Sequence, residues 1–237
     1  MNASAVLLAS AVSPEIGTEP VVLVPVGSTE QHGPHLPLDT DTAIAVAVAT
    51  RAAEDLVAGG HQVLVGPALS YGSSGEHQDF AGTSSIGASV LHDVLVELTR
   101  SMRTWARRVV FVNAHGGNTA ALRGAVRQLL DEGHDVAWVP CATEEVDLHA
   151  GRTETSLMLH LRPSDVRLDR AAAGNTGTLE QLLPWMIRGG IKAVSANGVL
   201  GDPAGASAAE GAGLLADMVA DVVAAVGAGA GRALAGR

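Results

Sequence analysis

The sequence has one cysteine, Cys141, and one lysine, Lys192, in 237 residues. A lone thiol rules out an intramolecular disulfide framework and any zinc cluster built on several cysteines, and it makes a cytoplasmic setting the expectation. Aromatic residues are scarce too, 3% of the chain against 47% hydrophobic residues overall, so the core has to be built from alanine, valine and leucine. Basic residues form no run anywhere, and with a formal net charge of −10 this argues against nucleic acid and anionic membrane surfaces as partners. No apolar run approaches the roughly 20 residues of a membrane helix. The apolar stretch near the amino end has no positively charged segment before it, so no targeting segment is expected.

What is present centres on the stretch from Val21 to Asp41, VVLVPVGSTEQHGPHLPLDTD. It begins as a β-branched apolar run and changes abruptly into a polar loop carrying Glu30, His32, His35, Asp39 and Asp41, which reads as a buried strand emptying into a loaded loop. Asp41 opens an Ala-rich helix closed by Gly59 and Gly60, and a helix dipole alone accounts for a carboxylate there. His61–Leu69 reads as a second strand. The loop GSSGEHQDFAGTSS, with Glu76, His77 and Asp79, follows it.

An amphipathic helix is expected over 88–108, then the strand VVFVN, the loop AHGGN and a further helix, which is the βα unit of a parallel sheet. His134–Pro140 is the next strand. Gly151–Leu161 has a helical pattern with Glu154 in its first turn and His149 in a polar turn just before it. Later come a helical segment expected to break or kink at Pro184 and a terminal Ala/Val helix. The fold class is α/β, in one domain over residues 1–237.

The two loops at strand ends bring Glu30, His32, Asp41 and His115 to one edge of such a sheet, and Glu154 can join them. Carboxylates and imidazoles without thiolate suit divalent Zn, Fe or Mn, and clustered carboxylates need a cation or protons to offset their repulsion. Each residue alone is more often a solvated or hydrogen-bonded group. His35, His61, His92, His134 and His160 are read that way. AHGGN is also compatible with a phosphate cradle, though no GxxxxGK[ST] or GxGxxG accompanies it. Cys141, at a strand end, is read as a small buried thiol before a nucleophile.

On GSTEQHGPHLPLDTD (27–41), GSSGEHQDFAGTSS (72–85), NAHGGN (113–118), HAGRTETSLML (149–159) and GVLGDPAGAS (198–207), the chain resembles the creatininase family of metal-dependent amidohydrolases. The resemblance implies a three-layer domain with a mainly parallel central sheet flanked by helices, and two divalent metal ions per chain, Zn or Fe first and Mn admitted. It also implies a homo-oligomer, a hexamer or related ring. Matched residue by residue, it assigns Glu30, His32, Asp41, His115 and Glu154 as metal ligands, with Asp41 bridging. His149 is the expected proton donor to the leaving amine. Family members that act on creatinine carry a glutamate two residues after the histidine matching His115, where this chain has Gly117. The general likeness is to a member that trims the modified C-terminus of a precursor peptide, making such a peptide the expected substrate. Creatinine or another small cyclic amide is the alternative, and a non-catalytic binding or assembly protein the alternative of another class.

Overall fold

The computed structural model describes residues 7–142 and 147–227. Four parallel strands form the sheet: β1 (Val21–Val26), β2 (Val63–Val65), β3 (Arg108–Asn113) and β4 (Val136–Pro140), in the order β2-β1-β3-β4. Every residue of β1 and β3 is buried, as expected of central strands covered on both faces. Alternation then divides their side chains. Val21, Leu23, Val110 and Val112 face α1 (Thr40–Ala58), α4 (Arg152–Leu161) and α6 (Ala208–Gly227). Val22, Val24, Val26, Val109 and Phe111 face α2 (Ala88–Met102) and α3 (Thr119–Asp131). Phe111 is the largest fully buried side chain, and the rest of the core is aliphatic.

The chain steps from β1 to β2 through α1 on one face and from β3 to β4 through α3 on the other. Opposite directions along a sheet require opposite faces if both crossovers keep one hand. The reversal falls between β1 and β3, which pair in register from Val21↔Arg108 to Val26↔Asn113. Their carboxyl ends are therefore level, and the segments beyond them lead to α1 on one face and α3 on the other. That opens the crevice where open α/β sheets bind ligands.

Three local expectations are corrected. β2 spans three residues because Gly66 and Pro67 follow it, and proline cannot donate to a ladder; Leu69 regains only an isolated bridge to Val26. α2 stops at Met102, and Arg108 belongs to β3, buried with its guanidinium 3.3 Å from Asp135. α5 (Leu179–Gly189) runs unbroken through Pro184, started by a capping box between Thr178 and Gln181. Among the described residues no helix is long and apolar enough to cross a membrane.

Candidate metal centre

Beyond Val26 the chain stays close to the sheet edge. The Ser28 hydroxyl donates to Glu30 Oε2 (2.9 Å) and also meets the Ser74 hydroxyl. Glu30 and His32 are wholly buried, and Asp41 lies in the first turn of α1 at 1% exposure. From the end of β3, the Ala114 N–H donates to Val26 O (3.0 Å), which draws His115 against the first loop. Glu154 comes from the first turn of α4, its Oε2 accepting the Ala150 N–H at 2.6 Å.

All five sequence-predicted ligands converge. His32 Nε2 lies 3.0 Å from Asp41 Oδ1 and 3.8 Å from Glu154 Oε2. His115 Nδ1 lies 3.4 Å from Asp41 Oδ2, and its Nε2 is 3.3 Å from Glu30 Oε2. Glu30, Asp41 and His115 have ligand atoms within 4.8 Å of one another, as do His32, Asp41 and Glu154. Asp41 is common to these two triplets, while a third, Glu30, His32 and His149, meets the same limit without it.

The electrostatics of the cluster follow from burial. Burial, with the Glu30 charge beside it, raises Asp41 above the usual carboxylate range despite His32. Burial raises Glu154 to about 7, with Asp41 adding to it. Burial opposes ionisation of Glu30 too, but His115, supported by His77 and His149, outweighs it and holds that carboxyl well below its ordinary value. For His32, burial favours the neutral ring and is overcome by Asp41 and Glu154, which push it up to about 10. His115 follows the same pattern, with Glu30 and Asp41 overcoming burial to reach about 10.

The carboxylates are thus charged only at the expense of protons on two imidazoles, and a divalent cation displaces such protons. Glu30 Oε1 and Asp41 Oδ2 are buried without any hydrogen-bond partner, which is costly unless something cationic faces them. Oxygen and imidazole donors with two orphaned carboxylate oxygens fit a divalent ion of the Zn, Fe or Mn type.

His149 is not in an open polar turn. It is 7% exposed, held through a two-way backbone bridge to Leu200, with its Nδ1 3.7 Å from Glu30 Oε1. Its ring stacks 4.3 Å from that of His32 and 4.4 Å from that of His77. Burial, with His32 and His77 alongside, holds His149 neutral, well below the ordinary imidazole value.

His77, on the β2–α2 loop, is buried with Nε2 3.3 Å from Glu30 Oε1. Glu76 beside it reaches His115, Oε1 lying 3.5 Å from Nε2. A side chain at Gly117 would overlap Ser73 O, the Glu76 carboxylate and His115 Nε2, so the glycine makes room for Glu76. Around His115 this loop meets the carboxylates of Glu30, Asp41 and Glu76, whose charge disfavours a phosphate at AHGGN. The loop is instead tied down by Asn118, whose side chain bonds Gly27 O, Asn113 Oδ1 and the Ser73 N–H.

The remaining candidates brace the site. His35 is buried and bonds Thr155 Oγ1 (2.9 Å) next to Glu154. Asp39 pairs with Arg162 through both oxygens (2.5 and 3.0 Å), joining the start of α1 to the end of α4. Burial, with Asp41 nearby, pushes the Cys141 thiol far up, so it is no nucleophile at neutral pH. Sequence reasoning passed over Ser28, Ser74 and Gln31. Gln31 stands inside the leading motif, but a glutamine there carries no signal until its buried neighbours are known.

Residues 9–226 match the family model described as creatininase, creatinine amidohydrolase. The chain belongs to the creatininase family. It is 56% identical over 217 residues to the mycofactocin precursor peptide peptidase of Mycobacterium tuberculosis strain H37Rv, covering 89% of this chain and 86% of that one. It is 33% identical over 180 residues to the creatinine amidohydrolase of Pseudomonas putida, covering 63% of this chain and 67% of that one. A solved structure titled creatininase Mn superposes with a TM-score of 0.77 at 26% identity, covering 93% of this chain and 97% of the other. As a creatininase-family hydrolase of amide bonds, the chain is set apart from binding-module and assembly-protein readings. The space beside Gly117 is taken by the Glu76 carboxylate.

Proposed function

We propose that the chain is a metal-dependent peptidase that cleaves the modified C-terminus of a mycofactocin precursor peptide during redox-cofactor biosynthesis. The observation that supports it most is the 56% identity, over 89% of the chain, to a relative bearing that name, against 33% over 63% for the creatinine enzyme. Gly117, in place of the glutamate of creatinine-acting members, supports the same choice.

In this reading Glu30, Asp41 and His115 would hold one divalent ion, and His32, Asp41 and Glu154 would hold a second. Zn or Fe is our first choice, with Mn admitted. When bound, such ions bring a water to a pKa near neutrality and polarise an amide carbonyl. The protein's own part is to place and move protons. His149, buried and neutral beside Glu30, takes the proton that the attacking water loses and delivers it to the leaving amine. The walls of buried imidazole and carboxylate keep bulk water from competing. The chain works in the cytoplasm as a homo-oligomer, for which the exposed apolar residues Leu179, Leu183, Trp185 and Ile187 of α5 offer a surface.

The test offers the modified precursor peptide and creatinine side by side to metal-loaded and chelated enzyme. Peptide cleavage that disappears on chelation and returns with added Zn, Fe or Mn is expected. Full activity in metal-free protein, or turnover of creatinine alone, would defeat the reading.

A further inference from the structure

Gln31 separates two ligand candidates in sequence, yet its side chain is 95% buried by contacts that reach across the molecule. Its amide orientation is fixed by its partners. The Gly33 N–H donates to Oε1 (2.9 Å), so Oε1 is the acceptor end, and Gly198 O, which only accepts, lies 3.1 Å from Nε2. Gly198 has a φ of +84°, and a side chain there would overlap the amide, so the backbone is shaped around Gln31.

Three acceptor positions surround the two hydrogens on Nε2: Gly198 O, His77 Nδ1 at 2.8 Å and His149 Nε2 at 3.0 Å. His149 Nε2 also lies 2.8 Å from Gln31 O, a carbonyl that can only accept; this contact is the shorter and takes the proton of that nitrogen, which leaves the 3.0 Å approach to Gln31 Nε2 a donor-to-donor contact and no hydrogen bond. Two acceptors then remain for two hydrogens. His77 Nδ1 takes one, and the His77 proton is left on Nε2, facing Glu30 Oε1 at 3.3 Å.

We propose that Gln31 is a positioning residue that fixes the proton on two imidazoles beside the metal centre: its amide holds His77 as the Nε2–H tautomer, and its backbone carbonyl holds His149 as the Nε2–H tautomer. Two consequences follow. His77 brings its Nε2–H within 3.3 Å of Glu30 Oε1 without hydrogen-bonding it, so that buried oxygen stays without a partner. His149 presents a lone pair at Nδ1, 3.7 Å from the same oxygen, on the side of the ring that faces the candidate metal centre. A fully satisfied buried amide is costly to replace, and groups of this kind commonly set which nitrogen of a functional histidine is basic.

The tautomers are tested by ¹⁵N NMR of histidine-labelled, zinc-loaded protein. Wild type should show a protonated Nε2 and an unprotonated Nδ1 on both His77 and His149. In Gln31→Met, His77 should lose that single pattern, while His149, held by a backbone group, should keep it. The effect on turnover rests on the peptidase reading: kcat should fall about 10- to 100-fold with KM and zinc content little changed. A protonated Nδ1 on either ring of the wild type overturns the proposal, as does a Gln31→Met spectrum and kcat equal to wild type. If the variant does not fold, the wild-type spectrum decides. Wild-type protein with both tautomers as assigned but no peptide cleavage would defeat the proposed function and leave Gln31's role standing.

Discussion

Asp41 is the residue on which most of the site's charge logic turns. It lies at a helix N-terminus, where its carboxylate is favoured, and touches His32 with one oxygen and His115 with the other. Asp41→Asn removes the charge shared by both triplets and keeps the shape. Elemental analysis should find metal lost, and kcat/KM should drop by at least about 100-fold. His149→Ala should retain the metal and lose about 10²- to 10⁴-fold in kcat, the range of a lost general acid or base. Normal turnover in that variant would remove His149 from the chemistry. Gly117→Ala probes the packing behind His115. Its new methyl meets backbone and the Glu76 carboxylate together, so denaturation should report about 1–3 kcal/mol of overpacking, with weaker metal binding alongside.

The elements matter because the ligands ride on them. α1 and α4 carry Asp41 and Glu154, and these helices are joined through Asp39 and Arg162. α4 is joined in turn to α6 by Glu210, which accepts from Arg152 Nε (2.9 and 3.0 Å) and from the Ser156 hydroxyl (2.6 Å). Arg152 and Ser156 hold the Glu210 carboxyl below its ordinary 4.5. A depressed carboxyl favours the folded state once it is ionised. The Glu210 contribution is therefore present in full above about pH 4.5 and is lost as pH falls through the lower folded value. Urea midpoints of wild type and Glu210→Gln should accordingly differ at pH 7 and converge at acid pH. Equal midpoints at pH 7 would show that the contact holds nothing together. Such α4–α6 contacts were invisible in the sequence, since partners 54 to 58 residues apart leave no periodic trace. The elements themselves were readable: β1 and β3 as apolar β-branched runs, α4 from its stop at Pro163.

At the scale of the whole molecule, the candidate ligands come from two strand ends and two helices that only the folded sheet brings together. A group that binds the native state alone stabilises it by mass action, by about 2.7 kcal/mol at a hundred times its dissociation constant. Chelation should therefore lower the thermal midpoint, and restoring the metal should recover it. An unchanged midpoint would mean that the site binds metal too weakly to matter.

Composition and pattern by themselves determined the aliphatic core, the parallel α/β class and the loop that carries Glu30, His32 and Asp41, because burial and periodicity are local properties of a chain. They also supplied residue types that suit a metal centre. Only the tertiary structure decided how those types are used. Asp41 became the shared carboxylate when His115 arrived from β3. His149 moved from a polar turn to a buried ring when Leu200 bridged it. The proton on each imidazole depends on Gln31, whose partners lie 46, 118 and 167 residues away. A tautomer is set by which acceptor comes within about 3 Å, and that distance belongs to the fold.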